Sequence, residues 1–145
     1  MLKSLAILLA VMSAIYIADQ AIKNVFVDGF RYYTNCIDLI LVFNKGVAFS
    51  MFAFLAESLK WLQLALLAGV VGYTLWLKEN RYLIPVGIMV GAGLSNVIDR
   101  FVHGGVVDYV YWHCGFNFAV FNFADVMIDI AVLWLFILNY KVKKA

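Results

Sequence analysis

Asp108 and Asp125 bracket an aromatic-rich run, and the stretch that holds them, from Gly91 to Asp129, also carries Asp99, Asp129, His103, His113, Asn96 and Asn122 among apolar neighbours. Ionisable groups in such a setting are costly to keep, so each is a candidate functional residue. The interval between Asp108 and Asp125 is long enough for the chain to fold back and bring the two carboxyls together. If they meet, low dielectric and like charge keep both from ionising near neutral pH; one holds a proton and the other remains a base. That pair can activate water against an amide carbonyl. The charged member takes a proton from water and the protonated member hydrogen-bonds the carbonyl oxygen, with no covalent intermediate or metal required. Spacing alone also allows a blander reading, two unrelated aspartates each satisfied by its own loop.

Other chemistries fit less well. His103, Asp108 and His113 match no HExxH or CxxC spacing, so no metal and no cofactor is expected. Ser50 and Ser95 become nucleophiles only if Lys45 or a histidine lies beside them. Asp129 falls one helical turn beyond Asp125 on the same face, with no evident partner.

The elements that must position these groups follow from composition. The chain has 145 residues, of which 66% are hydrophobic and 14% charged. Its mean hydropathy is +0.93, far from the soluble balance of about half apolar and a quarter charged. An integral membrane protein, mainly α, is expected, as one domain over 1–145 with no linker or repeat. The net charge of +2 is too small and too spread for a nucleic-acid surface.

Apolar runs place four spans at roughly 4–22, 60–77, 82–99 and 124–140. The first continues without a cleavage-site pattern, which favours a retained helix over a signal peptide. Asp19 and Lys23, four apart, suit an ion pair at its end. Between the first two spans, roughly 25–50, β-forming residues flank Asp28-Gly29, a hairpin signal. A small sheet at or outside the membrane surface is expected there, because open strand edges are not tolerated against lipid. Cys36 and Cys114 suggest buried free thiols, or a pair if both face an oxidising compartment. Lys3, Lys78, Arg81, Lys141, Lys143 and Lys144 crowd three short segments, which predicts cytoplasmic termini and an outward-facing Asp108 region. In the third span Gly87, Gly91, Ser95 and Asp99 form a small-residue stripe that admits a close neighbour. Asn96 and Arg100 lie beside it, able either to tether the following loop or to clamp a substrate backbone.

Five motifs in order complete the picture: Asp19-Gln20-Ala21-Ile22-Lys23, Asn44-Lys45-Gly46-Val47-Ala48-Phe49-Ser50, Asn96-Val97-Ile98-Asp99-Arg100, Val106-Val107-Asp108-Tyr109 and Phe121-Asn122-Phe123-Ala124-Asp125. Together they resemble the lipoprotein signal peptidases, also called signal peptidase II. The resemblance implies a four-helix aspartyl endopeptidase of the bacterial cytoplasmic membrane, with a β-cradle outside and its site near the periplasmic face. It would act on diacylglyceryl-modified prolipoproteins, just before the lipidated cysteine. It places Asp108 and Asp125 as the catalytic pair and Asn44, Gly46, Asn96, Arg100 and Asn122 along the substrate site. Asp19, Lys23 and Asp99 become supporting polar residues. Expected partners are the prolipoprotein and membrane lipids, with no nucleic acid, and a monomer is expected. Two positions depart from the family's usual residues: Ser95 stands for a Gly and Val47 for an Ala, adding bulk beside presumed substrate-lining positions. The competing readings are a small transporter or proton relay using Asp19, Asp99, Asp125 and Asp129, and an assembly protein using the Gly87/Gly91 stripe.

Overall fold

The computed structural model describes residues 2–46 and 56–142, with the side chains at 56, 57, 141 and 142 excepted. Val47, Ser50, Lys143 and Lys144 therefore lie outside the described residues. Four helices are long and apolar enough to cross a membrane: α1 (Leu2–Val27), α2 (Ala56–Leu77), α3 (Leu83–Val102) and α4 (Phe123–Val142). Each overlaps an expected span. Two strands, β1 (Ile37–Asn44) and β2 (Val106–Trp112), pair antiparallel into a small sheet.

The bundle is built on α3. It packs against α1, α2 and α4, and 72% of its span is buried in protein against 11% for each of the other three. Those outer helices turn side chains such as Leu66, Leu133 and Phe136 outward, the surface a lipid-facing helix presents. Small residues make the close approach to α3 possible. A Cβ on Gly87 would stand 3.0 Å from Val11, and one on Gly91 would collide with the backbone oxygen of Met12. The small-residue stripe thus faces α1 of the same chain, which leaves it no role in binding another protein.

Hydrogen bonds sort the helix ends. Ser4 Oγ donates to Asn80 Oδ1 (3.0 Å) and Tyr82 OH to Asn139 Oδ1 (3.2 Å). The start of α1, the 3-10 turn Asn80–Tyr82 between α2 and α3, and the end of α4 therefore share one end of the bundle. The sheet lies at the other.

Three expectations are corrected at that sheet end. Asp28-Gly29 is not a hairpin turn, because α1 runs on to Val27 and the pair closes it. Gly29, at φ +108°, donates to Phe26 O (3.1 Å) while Phe30 N–H reaches Val25 O (3.1 Å), the 5→2 and 6→1 bonds of a glycine C-cap. Asp19 and Lys23 consequently lie inside the helix, not at its end. The sheet is made instead by long-range pairing of β1 with β2, residues that follow different helices. Cys36 and Cys114, expected more readily as free thiols, are joined in a disulfide. It ties the segment before β1 to the loop after β2.

The packing against α1 is directly testable. Gly91→Ala is expected to lower thermal stability in detergent by about 1–3 kcal/mol through overpacking. Gly69→Ala, with nothing within 4 Å of its added carbon, should not lower it.

Candidate active site

The site is assembled at the N-terminus of α4. The first four N–H groups of a helix lack intrahelical acceptors and, in an apolar setting, need others. Here all four are satisfied by side chains. Asn122 N–H donates to Asp125 Oδ2 (3.1 Å), and Asp125 N–H donates back to Asn122 Oδ1 (2.9 Å). This reciprocal exchange between N-cap and third helical residue is a capping box. Phe123 N–H donates to the Tyr109 hydroxyl (3.0 Å) and Ala124 N–H to Asp19 Oδ1 (2.9 Å). Strand β2 and helix α1 thereby fix the position of α4, and with it Asp125.

Asn122 also joins the two aspartates. Its Nδ2 donates to Asp108 Oδ1 at 2.7 Å while the same residue caps Asp125. The other oxygen of Asp108 accepts from Asn44 Nδ2 at 3.0 Å. Asn44 pairs with Val106, two residues from Asp108 on β2, so the two side chains are diagonal neighbours on one sheet face. A bulge between Leu39 and Val42 shifts the register by one residue, which sets which face Asn44 occupies. Asn96 Nδ2, from α3, donates to Asp125 Oδ1 at 3.0 Å. Both carboxyls thus accept from amides, which favours their charged forms. Burial works against that for Asp108, which is 2% exposed. Burial first, and then the like charge of Asp125, push its carboxyl from its ordinary range up to about 7, against the amides and Lys23. Burial likewise pushes the Tyr109 phenol up to about 12. It remains a neutral hydroxyl for Phe123 N–H, with its ring stacked on Phe26.

Behind these residues lies a buried ionic cluster. Lys23 Nζ meets Asp19 Oδ2 at 2.6 Å, Asp99 Oδ2 at 2.7 Å and Asn96 Oδ1 at 2.7 Å, and Lys23, Asp19 and Asp99 are essentially without solvent exposure. Asp99 accepts the Val107 N–H (3.1 Å), anchoring the start of β2. A single cation thus holds the two carboxylates that position β2 and α4.

The aspartate pair, Asn44, Gly46, Asn96 and Arg100 line one cavity of about 540 Å³, with the segment Phe118–Phe121 forming another wall. Asn122, fully buried behind Asp108, supports the wall without belonging to it. Arg100 donates to Gln63 Oε1 (3.0 Å), Lys45 O (3.2 Å) and Gly46 O. Between the two roles its spacing allowed, the observed bonds are those of a tether, holding the segment after β1 at the cavity's edge. Ser95 does not border the cavity. Its hydroxyl donates to Asp19 Oδ2 (2.6 Å) and accepts from Gln20 Nε2 (2.8 Å) on the α1 side of α3. The bulk it adds is therefore remote from any bound molecule. His103 packs on Phe43 and His113 lies 3.3 Å from Asp38, so neither joins Asp108.

Sequence reasoning missed Gln20, Gln63 and the Tyr109 hydroxyl. Gln20 and Tyr109 stand inside motifs that carry the family resemblance, without a role read from them, and nothing in the sequence marks Gln63. The cap role of Asn122 was legible, since Asn-x-x-Asp before an apolar run is close to a helix-start signature.

Four apolar spans, a small sheet at one end and two amide-held carboxyls on a shared cavity define a polytopic membrane protein with a buried carboxyl pair at the sheet end of its bundle. The comparisons agree. The family model described as signal peptidase (SPase) II matches residues 11–141. The lipoprotein signal peptidase of Sulfurimonas denitrificans is 64% identical over 141 residues, 97% of this chain and 92% of the relative. That of Sulfurovum sp. is 56% identical over 142 residues, 96% of each. A bacterial membrane enzyme solved by the in meso method at 2.3 Å superposes with a TM-score of 0.78 over 96% of this chain and 88% of its own. At 21% identity that likeness concerns the fold. The chain belongs to the signal peptidase II family, a family of membrane proteases.

The ionic cluster gives a test of this architecture. Lys23→Met leaves Asp19 and Asp99 buried without their cation and should cost about 3–5 kcal/mol, read as a fall in thermal midpoint in detergent.

Proposed function

We propose that this chain is an aspartyl endopeptidase that removes the signal peptide of diacylglyceryl-modified prolipoproteins just before the lipidated cysteine. The observation that carries the mechanism is the double attachment of Asn122, which hydrogen-bonds Asp108 and caps Asp125. It keeps two carboxyls at one cavity with a proton available to share. The names of the relatives support the substrate.

In the proposed reaction, one carboxylate removes a proton from water as the oxygen attacks the scissile carbonyl carbon. The protonated partner donates its proton to the carbonyl oxygen, giving a neutral diol. The first carboxyl then passes its new proton to the amide nitrogen as the C–N bond breaks. A diol hydroxyl returns a proton to the second. The products are a signal-peptide carboxylic acid and a free amine on the cysteine, and the pair regains its single proton. Asn44 and Asn96 hold the carboxyls at the substrate's side, while Arg100 and Gly46 shape the cavity's edge. Asp19, Lys23 and Asp99 support from behind. No cofactor enters this scheme.

We further place the helix end bearing Lys3, Lys78 and Arg81 in the cytoplasm, by the bias of basic residues. The site then faces the periplasmic side of the inner membrane, where the Cys36–Cys114 disulfide suits an oxidising compartment. A lipid-anchored substrate reaches such a site by lateral diffusion, its acyl chains remaining in the bilayer. We read the chain as a single peptidase domain acting as a monomer. A proton relay would need carboxyls spread across the membrane, whereas Asp19, Asp99, Asp108 and Asp125 gather at the sheet end and only Asp129 lies deeper.

The test is cleavage of a diacylglyceryl-modified prolipoprotein by the purified protein in detergent. Asp108→Asn and Asp125→Asn, each checked for folding, should bind substrate yet lose at least a thousandfold in kcat, an order of magnitude consistent with removing an acid-base group. Normal cleavage by both variants would refute the aspartate mechanism. The raised Asp108 value adds a pH signature. Turnover should fall as pH rises through about 7, when the pair loses the shared proton. The folded chain binds this proton more tightly than the unfolded one, so its contribution to stability is full below the ordinary value of 3.8, falls as pH rises from there and is gone above about 7.

A further inference from the structure

Asp129 is the carboxyl that the scheme above leaves unused. It lies one turn further along α4 than Asp125 and lines the same cavity, with Val126 and Ile128 as its apolar neighbours on the helix. Among the described residues it makes no hydrogen bond or ion pair. It belongs to a span of mean hydropathy 1.8, where an acidic residue is costly to keep. The other acids that α1, α3, β2 and α4 bring to this site are held: Asp19 and Asp99 by Lys23, Asp108 and Asp125 by asparagine amides. Asp129 alone among these five borders the cavity with no donor among the described residues.

We propose that Asp129 is a specificity-determining residue, which hydrogen-bonds a hydroxyl or amide side chain on the substrate about two residues before the scissile bond. The inference rests on the peptidase reading given above. Three considerations fix the chemistry. Residues four apart on a helix have Cβ atoms about 5–6 Å apart, and an extended peptide covers that distance in about two residues. The direction follows from depth. Asp129 lies further into the membrane than Asp125, and the apolar segment of a signal peptide precedes its cleavage site, so the residues at that depth are those on the N-terminal side.

The kind of group follows from donor arithmetic. The ester oxygens and thioether of a diacylglyceryl group offer no hydrogen-bond donor, whereas a hydroxyl or amide both donates and accepts and satisfies a carboxyl in either protonation state. An aliphatic side chain would instead leave the carboxyl buried beneath it, unpaired. Sites built to hydrogen-bond a substrate group discriminate strongly against analogues lacking it.

The experiment uses two diacylglyceryl-modified prolipoproteins that differ only in Thr or Val at the second residue before the cleaved bond, a pair matched in shape. Wild type should cleave the Thr substrate with roughly tenfold higher kcat/KM, the scale of one hydrogen bond to a charged group. Asp129→Val should equalise or reverse the two, and Asp129→Asn, which can still donate and accept, should keep a preference for Thr. An unchanged ratio in Asp129→Val overturns the proposal. So does loss of both substrates by both variants with thermal stability intact, which would make Asp129 part of the catalytic apparatus. Wild type inert on both substrates would overturn the peptidase reading and this inference with it, whereas wild type cleaving both equally overturns this inference alone.

Discussion

The constraint on which the structure depends is that a helix beginning inside an apolar setting must find four acceptors for its first N–H groups. α4 draws them from its own cap, from strand β2 and from helix α1. Meeting this requirement also places Asp125, because its carboxylate is one of the four acceptors. The carboxyl is held by the same bond that starts the helix, so the backbone and the proposed chemistry cannot be adjusted independently. Asn122 extends the constraint to Asp108, so one buried residue bonds both carboxyls while Asn44 and Asn96 hold their other oxygens.

The ionic cluster behind the site follows similar logic. Asp19 and Asp99 each accept a backbone N–H from a different element, Ala124 and Val107. Carboxylates buried this deeply require compensation, and Lys23 supplies it to both. α1, α3, β2 and α4 are thereby drawn to one point. Ser95 and Gln20 close the cluster on the α1 side, satisfying oxygens that would otherwise be exposed to hydrocarbon.

At the front, the cavity is bounded by loops. The segment after β1 is held through its carbonyls by Arg100, and the wall Phe118–Phe121 is hung between the disulfide at Cys114 and a bridge from Phe121 to Val110. The two carboxyls are thus fixed from behind, at a cavity bounded in front by loops.

The sequence by itself determined the four spans, since stretches of uncharged residues of that length have few other stable settings. It also determined which residues are chemical, since acids and amides among apolar neighbours stand out whatever the fold. It misread Asp28-Gly29 because a glycine with positive φ closes a helix as readily as it turns a hairpin, and only the continuation of α1 to Val27 distinguishes the two. Spacing put Ser95 on the stripe that admits a close neighbour, and the approach of α1 bears this out, whereas the family resemblance set it beside substrate-lining positions, which it does not reach. The joining of Asp108 to Asp125 through Asn122, the pairing of Cys36 with Cys114 and the reach of Lys23 to Asp99 bring together residues separated along the chain. Local propensity carries no term for such contacts. They exist because helix packing and strand register bring those segments to the same end of the bundle.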